Sequence, residues 1–136
     1  MRIKYESRVA GGVFYNPLIV VSIFRGKLWL DGIIIELVKL NPFIDIINAI
    51  KSSKFFDEIN FIFFGDGLCE YVDLEYAYKF LGKPVVLMDR GKTSFYGINS
   101  DDFKCLMKVA CVRGEVEALR ISRIIALKIL GSILNL

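Results

Sequence analysis

The chain begins with β-branched runs of strand length and then changes to a helical period. Leu18 to Phe24 (LIVVSIF) reads as a strand, Arg25-Gly26-Lys27 as a hairpin turn, and Leu28 to Leu40 (LWLDGIIIELVKL) as the returning strand. Asp31-Gly32 inside that return predicts a bulge or bend. Lys4 to Phe14, ahead of Pro17, supplies one more strand. The opening is therefore a three-stranded antiparallel meander.

From Asn41 the spacing of apolar residues is helical. Asn41 is a good N-cap, Pro42 occupies the first helical position, and Phe43, Ile46, Ile47 and Ile50 recur at i, i+3, i+4, i+7, with an end near Lys54. Ile59 to Phe64 (INFIFF) is continuously apolar, as a strand covered on both faces must be. Asp73 caps a second helix, Glu75 and Lys79 form an i,i+4 pair, and Gly82 followed by Pro84 closes it. Pro84 to Met88 (PVVLM) is another buried strand, and Asp101 is read as the cap of a helix whose stripe is Phe103, Leu106, Met107 and Ala110. Gly114 interrupts, and Glu115 to Leu134 forms the last helix. On its wheel Arg113, Glu117, Arg120, Arg123 and Lys128 share one face and isoleucine and leucine fill nearly all the rest. A helix that apolar must cover the sheet or meet a partner, and a homodimer through it is expected.

The predicted order is β-β-β-α-β-α-β-α-α in a single domain spanning 1–136. A meander followed by alternating helices and buried strands is the ribonuclease H-like α/β topology, with strand order 3-2-1-4-5, and an incomplete doubly wound sheet is the competing arrangement.

Composition mainly excludes. Hydrophobic residues make up 54% and charged residues 24%, so disorder is ruled out. The chain has no histidine, which removes Ser-His-Asp and Cys-His catalysis and His-ligated zinc or haem. Cys69, Cys105 and Cys111 form no CxxC pair, which points to a reducing compartment. Charged residues punctuate the start in place of an apolar signal, and Ile121 to Leu136 holds Arg123 and Lys128 and falls short of a spanning helix. The expectation is a cytoplasmic protein with no membrane partner. The net charge of +3 is small, but basic groups dominate both ends of the chain while acids concentrate in residues 42–103.

Candidate chemistry is sparse. Gly65-Asp66-Gly67 follows a buried strand, where open α/β sheets bind ligands beyond the carboxyl ends of parallel strands. Asp89 occupies the equivalent place after the next strand, and Arg90-Gly91-Lys92 is a short basic loop able to face phosphates. Asp31 is a further carboxylate on the hairpin. Asp66 and Asp89 are thus placed to converge on a metal or a nucleotide, Asp31 is either a further ligand or a bulge residue, and Arg90 and Lys92 are the candidate phosphate contacts. Gly11-Gly12 lies in no GxGxxG or GxxxxGK pattern, and no GxSxG is present.

Four segments together, VVSIFRGKLWLDG (20–32), FIFFGDGLCEY (61–71), LGKPVVLMDRGK (81–92) and EVEALRISRIIA (115–126), resemble an archaeal endonuclease-V-like family known as domain of unknown function 99. The resemblance implies a ribonuclease H-like fold related to enzymes that cut nucleic acid near deaminated purines with magnesium, and it matches Asp66 to one metal-binding carboxylate. Members usually carry an acidic pair after a glycine at the end of the first strand. Here that stretch reads VAGGVF (9–14), and no acid occurs from Ser7 to Leu30. The family's later acids near the first helix are only loosely matched by Asn41 and Asp45. The expectation is a catalytically degenerate domain, not a working nuclease, that holds one Mg²⁺ at most and binds nucleic acid or nucleotide at the strand ends. The alternative is a dimeric scaffold or protein-interaction domain.

Overall fold

The structure is a computed structural model and describes residues 3–134; the last two residues of the Ile121–Leu136 stretch lie outside that range. Strands β1 (Arg8–Tyr15), β2 (Leu18–Arg25) and β3 (Trp29–Leu37) form the meander, with both pairings antiparallel. The register of β2 against β3 slips at Asp31, which stands unpaired between Leu30 and Gly32, so the predicted bulge is there. β4 (Ile59–Phe64) and β5 (Val85–Asp89) add parallel to β1, and β6 (Lys92–Tyr96) closes the sheet antiparallel to β5. The order is β3-β2-β1-β4-β5-β6, with Ile59–Phe64 in the interior as its apolar run requires.

Alternation along the central strands feeds two cores. One side chain set (Ala10, Ile19, Val21, Ile62, Phe64) meets α1 (Pro42–Ser52) and α2 (Leu74–Leu81). The other (Val9, Val13, Val20, Phe63, Val86) meets α3 (Ser100–Ala110) and α4 (Glu117–Leu134). Helices on both faces of a mixed sheet make this an α/β molecule. Local chemistry sets the helix ends as read. Asn41 caps α1 through bonds to the Phe43 and Ile44 amides, Asp73 caps α2, and Gly82 ends it in the left-handed region (φ 71°).

Four sequence readings change. The first strand starts at Arg8, because Lys4–Ser7 forms a turn closed by Ser7 N–H to the Lys4 carbonyl. The basic stretch after Asp89 is a tight hairpin: Arg90 and Gly91 both take positive φ (52° and 74°), the geometry of a two-residue hairpin turn, and Lys92 begins β6. Its five residues, KTSFY, carry too little apolar pattern to announce a strand. The cap of α3 is Asn99, whose side chain accepts the Asp102 amide, while Asp101 sits in the first turn and favours the helix dipole there.

The fourth change concerns the last helix. Cys111–Val112 (β7) and Glu115–Val116 (β8) form a small hairpin around Arg113 and Gly114, both at positive φ, so α4 starts at Glu117 and Arg113 lies off its face. α4 lies across β1, β2 and β4. Ala118, Leu119, Ser122 and Ala126 are buried, whereas Leu127 keeps 50% of its surface exposed. No helix among the described residues is long and apolar enough to cross a membrane.

Candidate functional site

Parallel pairing brings the ends of β1, β4 and β5 to one edge of the sheet. Gly65 N–H donates to the Gly12 carbonyl and Phe14 N–H to the Asp66 carbonyl, both at 2.8 Å, which continues the ladder past Phe64 and fixes the Asp66 backbone. Both flanking glycines sit in close quarters, and Gly67 is required by its backbone conformation and by the backbone it approaches. A Cβ at Gly65 would meet the Leu119 side chain at 2.8 Å. One at Gly67, where φ is +82°, would meet the Phe14 carbonyl oxygen at 2.1 Å.

Asp66 has two side-chain neighbours. The Tyr15 hydroxyl donates to its Oδ2 at 2.5 Å, and Arg123 Nη1 lies 4.0 Å from the same oxygen. Arg123 also pairs with Glu115, so β1, the loop after β4, the β7–β8 hairpin and α4 meet in one polar chain. Burial, then the Asp66 hydrogen bond and charge, push the Tyr15 phenol up to about 12, with Asp89 adding to the effect and Arg123 opposing it. Tyr15 is a protonated donor at neutral pH, and both carboxylates act on it. Asp89 is buried and its Oδ2 accepts the Cys69 amide at 3.1 Å. Burial and that carboxylate raise the Cys69 thiol pKa.

The edge therefore gathers Asp66 and Asp89 and leaves Asp31 apart. Asp31 accepts from Arg8 and Arg25 at 3.1 Å, at the amino end of β1, while Asp66 bonds residues at its carboxyl end. An eight-residue strand separates the two by roughly 20 Å. Burial alone would raise the Asp31 pKa, but the hydrogen bonds from Arg25 and Arg8 outweigh it and hold the group below the usual carboxylate range. Of the candidate cations, Arg90 pairs with Glu70 at 3.1 Å on the surface, and Lys92 stands exposed opposite Asp89. Tyr15, Glu115 and Arg123 escaped the sequence reading as site residues, because no local pattern ties Tyr15 to a carboxylate 51 positions later.

The middle of β1 decides what metal chemistry fits. Val9, Ala10 and Val13 are buried. A Cβ on Gly11 would meet Ala118 Cβ at 2.7 Å and the Leu119 amide nitrogen at 2.8 Å, and one on Gly12 would meet Ile46 Cδ1 at 2.5 Å. None of positions 9 to 13 carries a carboxylate, and the first polar side chain of β1 at this edge is that of Tyr15. Among the described residues no three His, Cys, Asp or Glu side chains gather as a metal-holding group. Two-ion phosphodiester cleavage needs carboxylates that hold two ions about 3.5–4 Å apart, and this donor set does not fit it.

No protein-family model matches the chain. It is 34% identical over 110 residues to a UPF0215 protein of Methanosarcina barkeri, an alignment covering 72% of this chain and 56% of that protein. The chain thus spans little more than half the length of this curated relative. A crystal structure of a protein of unknown function from Archaeoglobus fulgidus shares the fold, with a TM-score of 0.76 at 18% identity, over 93% of this chain and 98% of that one. Both likenesses lead to archaeal proteins of uncharacterised function, and what the solved structure shares with this chain is its α/β fold.

Proposed function

We propose that the chain belongs with the UPF0215 proteins and is a catalytically degenerate, endonuclease-V-like domain of the ribonuclease H-like fold, which binds nucleic-acid or nucleotide phosphate at its carboxyl edge without cleaving it. The strand order β3-β2-β1-β4-β5, with β1, β4 and β5 parallel, supports the fold assignment. The observation that carries the loss of catalysis is the filled space over Gly11, where α4 backbone and the Ala118 methyl stand in the way of a central ligand. A single hydrated Mg²⁺ on Asp66 with Asp89 is the most this edge takes, since magnesium keeps several of its waters. Lys92 and Arg90 flank these carboxylates, Arg90 by exchanging Glu70 for a phosphate.

The test is an assay on inosine-containing DNA and RNA with Mg²⁺ or Mn²⁺, run beside Asp66→Asn, together with binding measured across salt. The expected result is no multiple-turnover cleavage, with affinity that falls with log[salt] and weakens in the Arg90→Ala/Lys92→Ala variant. Cleavage abolished by Asp66→Asn would overturn the degenerate reading, and binding indifferent to both basic residues would overturn the edge as the phosphate site.

A second reading, a self-associating scaffold, draws on the β3 edge. Leu30, Ile33, Ile35 and Leu37 are all exposed along it, and Leu127 and Ile133 of α4 are exposed as well. Long apolar edge strands invite pairing with another chain. Light scattering decides it: a monomer at high concentration excludes the scaffold dimer.

A further inference from the structure

At the opposite, amino end of the sheet the fold unites the two basic ends of the chain. The turn Lys4–Ser7 is strapped to the β2–β3 hairpin by the Gly26 amide donating to the Ser7 carbonyl at 2.9 Å, and at Gly26 a Cβ would strike the Tyr5 carbonyl oxygen. Tyr5 and Trp29, the chain's one tryptophan, are thereby held at the surface with 79% and 67% of their area exposed. Helix α3 brings Lys108 alongside, where Lys27 Nζ lies 3.4 Å from the Lys108 carbonyl oxygen. Two adjoining cavities, about 390 and 720 Å³, open here and share Tyr5, Glu6 and Lys27. Their linings contain Lys4, Arg25, Lys27 and Lys108 against Glu6 as the one carboxylate, and Arg25 is already paired with Asp31.

We propose that this groove binds single-stranded nucleic acid, with bases stacked on Trp29 and Tyr5 and phosphates held by Lys4, Lys27 and Lys108. Exposed, rigidly based aromatic faces beside lysines match a stacking platform with a cationic track for the backbone. A paired duplex hides its base faces and cannot use the aromatics. An acidic peptide would use the lysines and leave the rings idle. The site is independent of the carboxyl-edge reading, since Arg90 and Lys92 lie at the far end of the strands.

The test is titration of the full chain with oligothymidylate and oligouridylate of about ten nucleotides, followed by quenching of Trp29 fluorescence at several salt concentrations. The expected result is a quench on binding and a log–log salt slope of about −2, as for three lysines partly neutralised on a single strand. Tyr5→Ala, Trp29→Ala (read by anisotropy of labelled oligonucleotide) and Lys27→Glu/Lys108→Glu should each weaken binding roughly tenfold or more. Trp29→Phe should restore most of the loss. These are surface positions, and circular dichroism confirms each variant as folded. The proposal is overturned by the absence of a quench at low salt, by duplex or polyglutamate binding as tightly as the single strand, or by binding that survives these variants and disappears in the carboxyl-edge one.

Discussion

Ser122 Oγ donates a 2.7 Å hydrogen bond to the carbonyl oxygen of Gly11, 111 positions earlier in the chain. Ser22, the cross-strand partner of Gly11, bonds the same helix through the Ala118 carbonyl at 2.5 Å, and the two serine hydroxyls lie 2.8 Å apart. A missing side chain on β1 and two buried hydroxyls thus let α4 sit almost on the backbone of the sheet. That approach fills the space over Gly11 and brings Arg123 to Asp66.

The two glycines of β1 should differ in their tolerance of a methyl group. Gly11→Ala meets helix backbone, which cannot move alone, and should lower unfolding free energy in urea by about 1–3 kcal/mol. Gly12→Ala meets the end of the Ile46 side chain, which can swing, and should cost less. Gly11→Asp should fail to fold rather than restore a metal ligand, because its carboxylate would be buried without a partner.

Ser122→Ala takes a buried donor from the Gly11 carbonyl and leaves Ser22 only its bond to the Ala118 carbonyl. It should destabilise by about 1–3 kcal/mol in denaturant melts. The double variant with Ser22→Ala should lose less than the two single losses combined, since the hydroxyls share one network.

Tyr15 makes stability fall at alkaline pH. Its phenol ionises near 12 in the folded chain against 10.0 when free, so the folded state keeps a proton that the unfolded state has released. That contribution is complete below about pH 10 and is lost as the pH rises to about 12. The melting temperature of the wild type should therefore drop more steeply across this window than that of Tyr15→Phe.

The β7–β8 turn carries a strain that can be relieved. Arg113 holds φ of 52° beside Gly114 at 80°, a conformation in which asparagine is favoured at the first position. Arg113→Asn should raise stability by up to about 1 kcal/mol, measured as a shift in the urea midpoint.

What the sequence by itself determined is local. The period-2 and continuous apolar runs of the meander, Ile59–Phe64 and Pro84–Met88, the caps at Asn41 and Asp73 and the stop at Gly82 are written within a few residues of where they act. Periodicity and capping depend on neighbours along the chain, so they survive without knowledge of the fold. β6 and the β7–β8 hairpin did not, because a short, polar edge strand is defined by the partner it pairs with. The carboxylates were legible as strand-end residues, but their grouping was not. Only the sheet order separates Asp31 from Asp66, puts Tyr15 against Asp66, and brings Lys4 and Lys27 next to Lys108. The physical reason is that contacts between residues 51 to 111 positions apart depend on register and on which helix crosses which strand. Those are settled by burying both faces of the sheet at once, and no window of the chain contains that information.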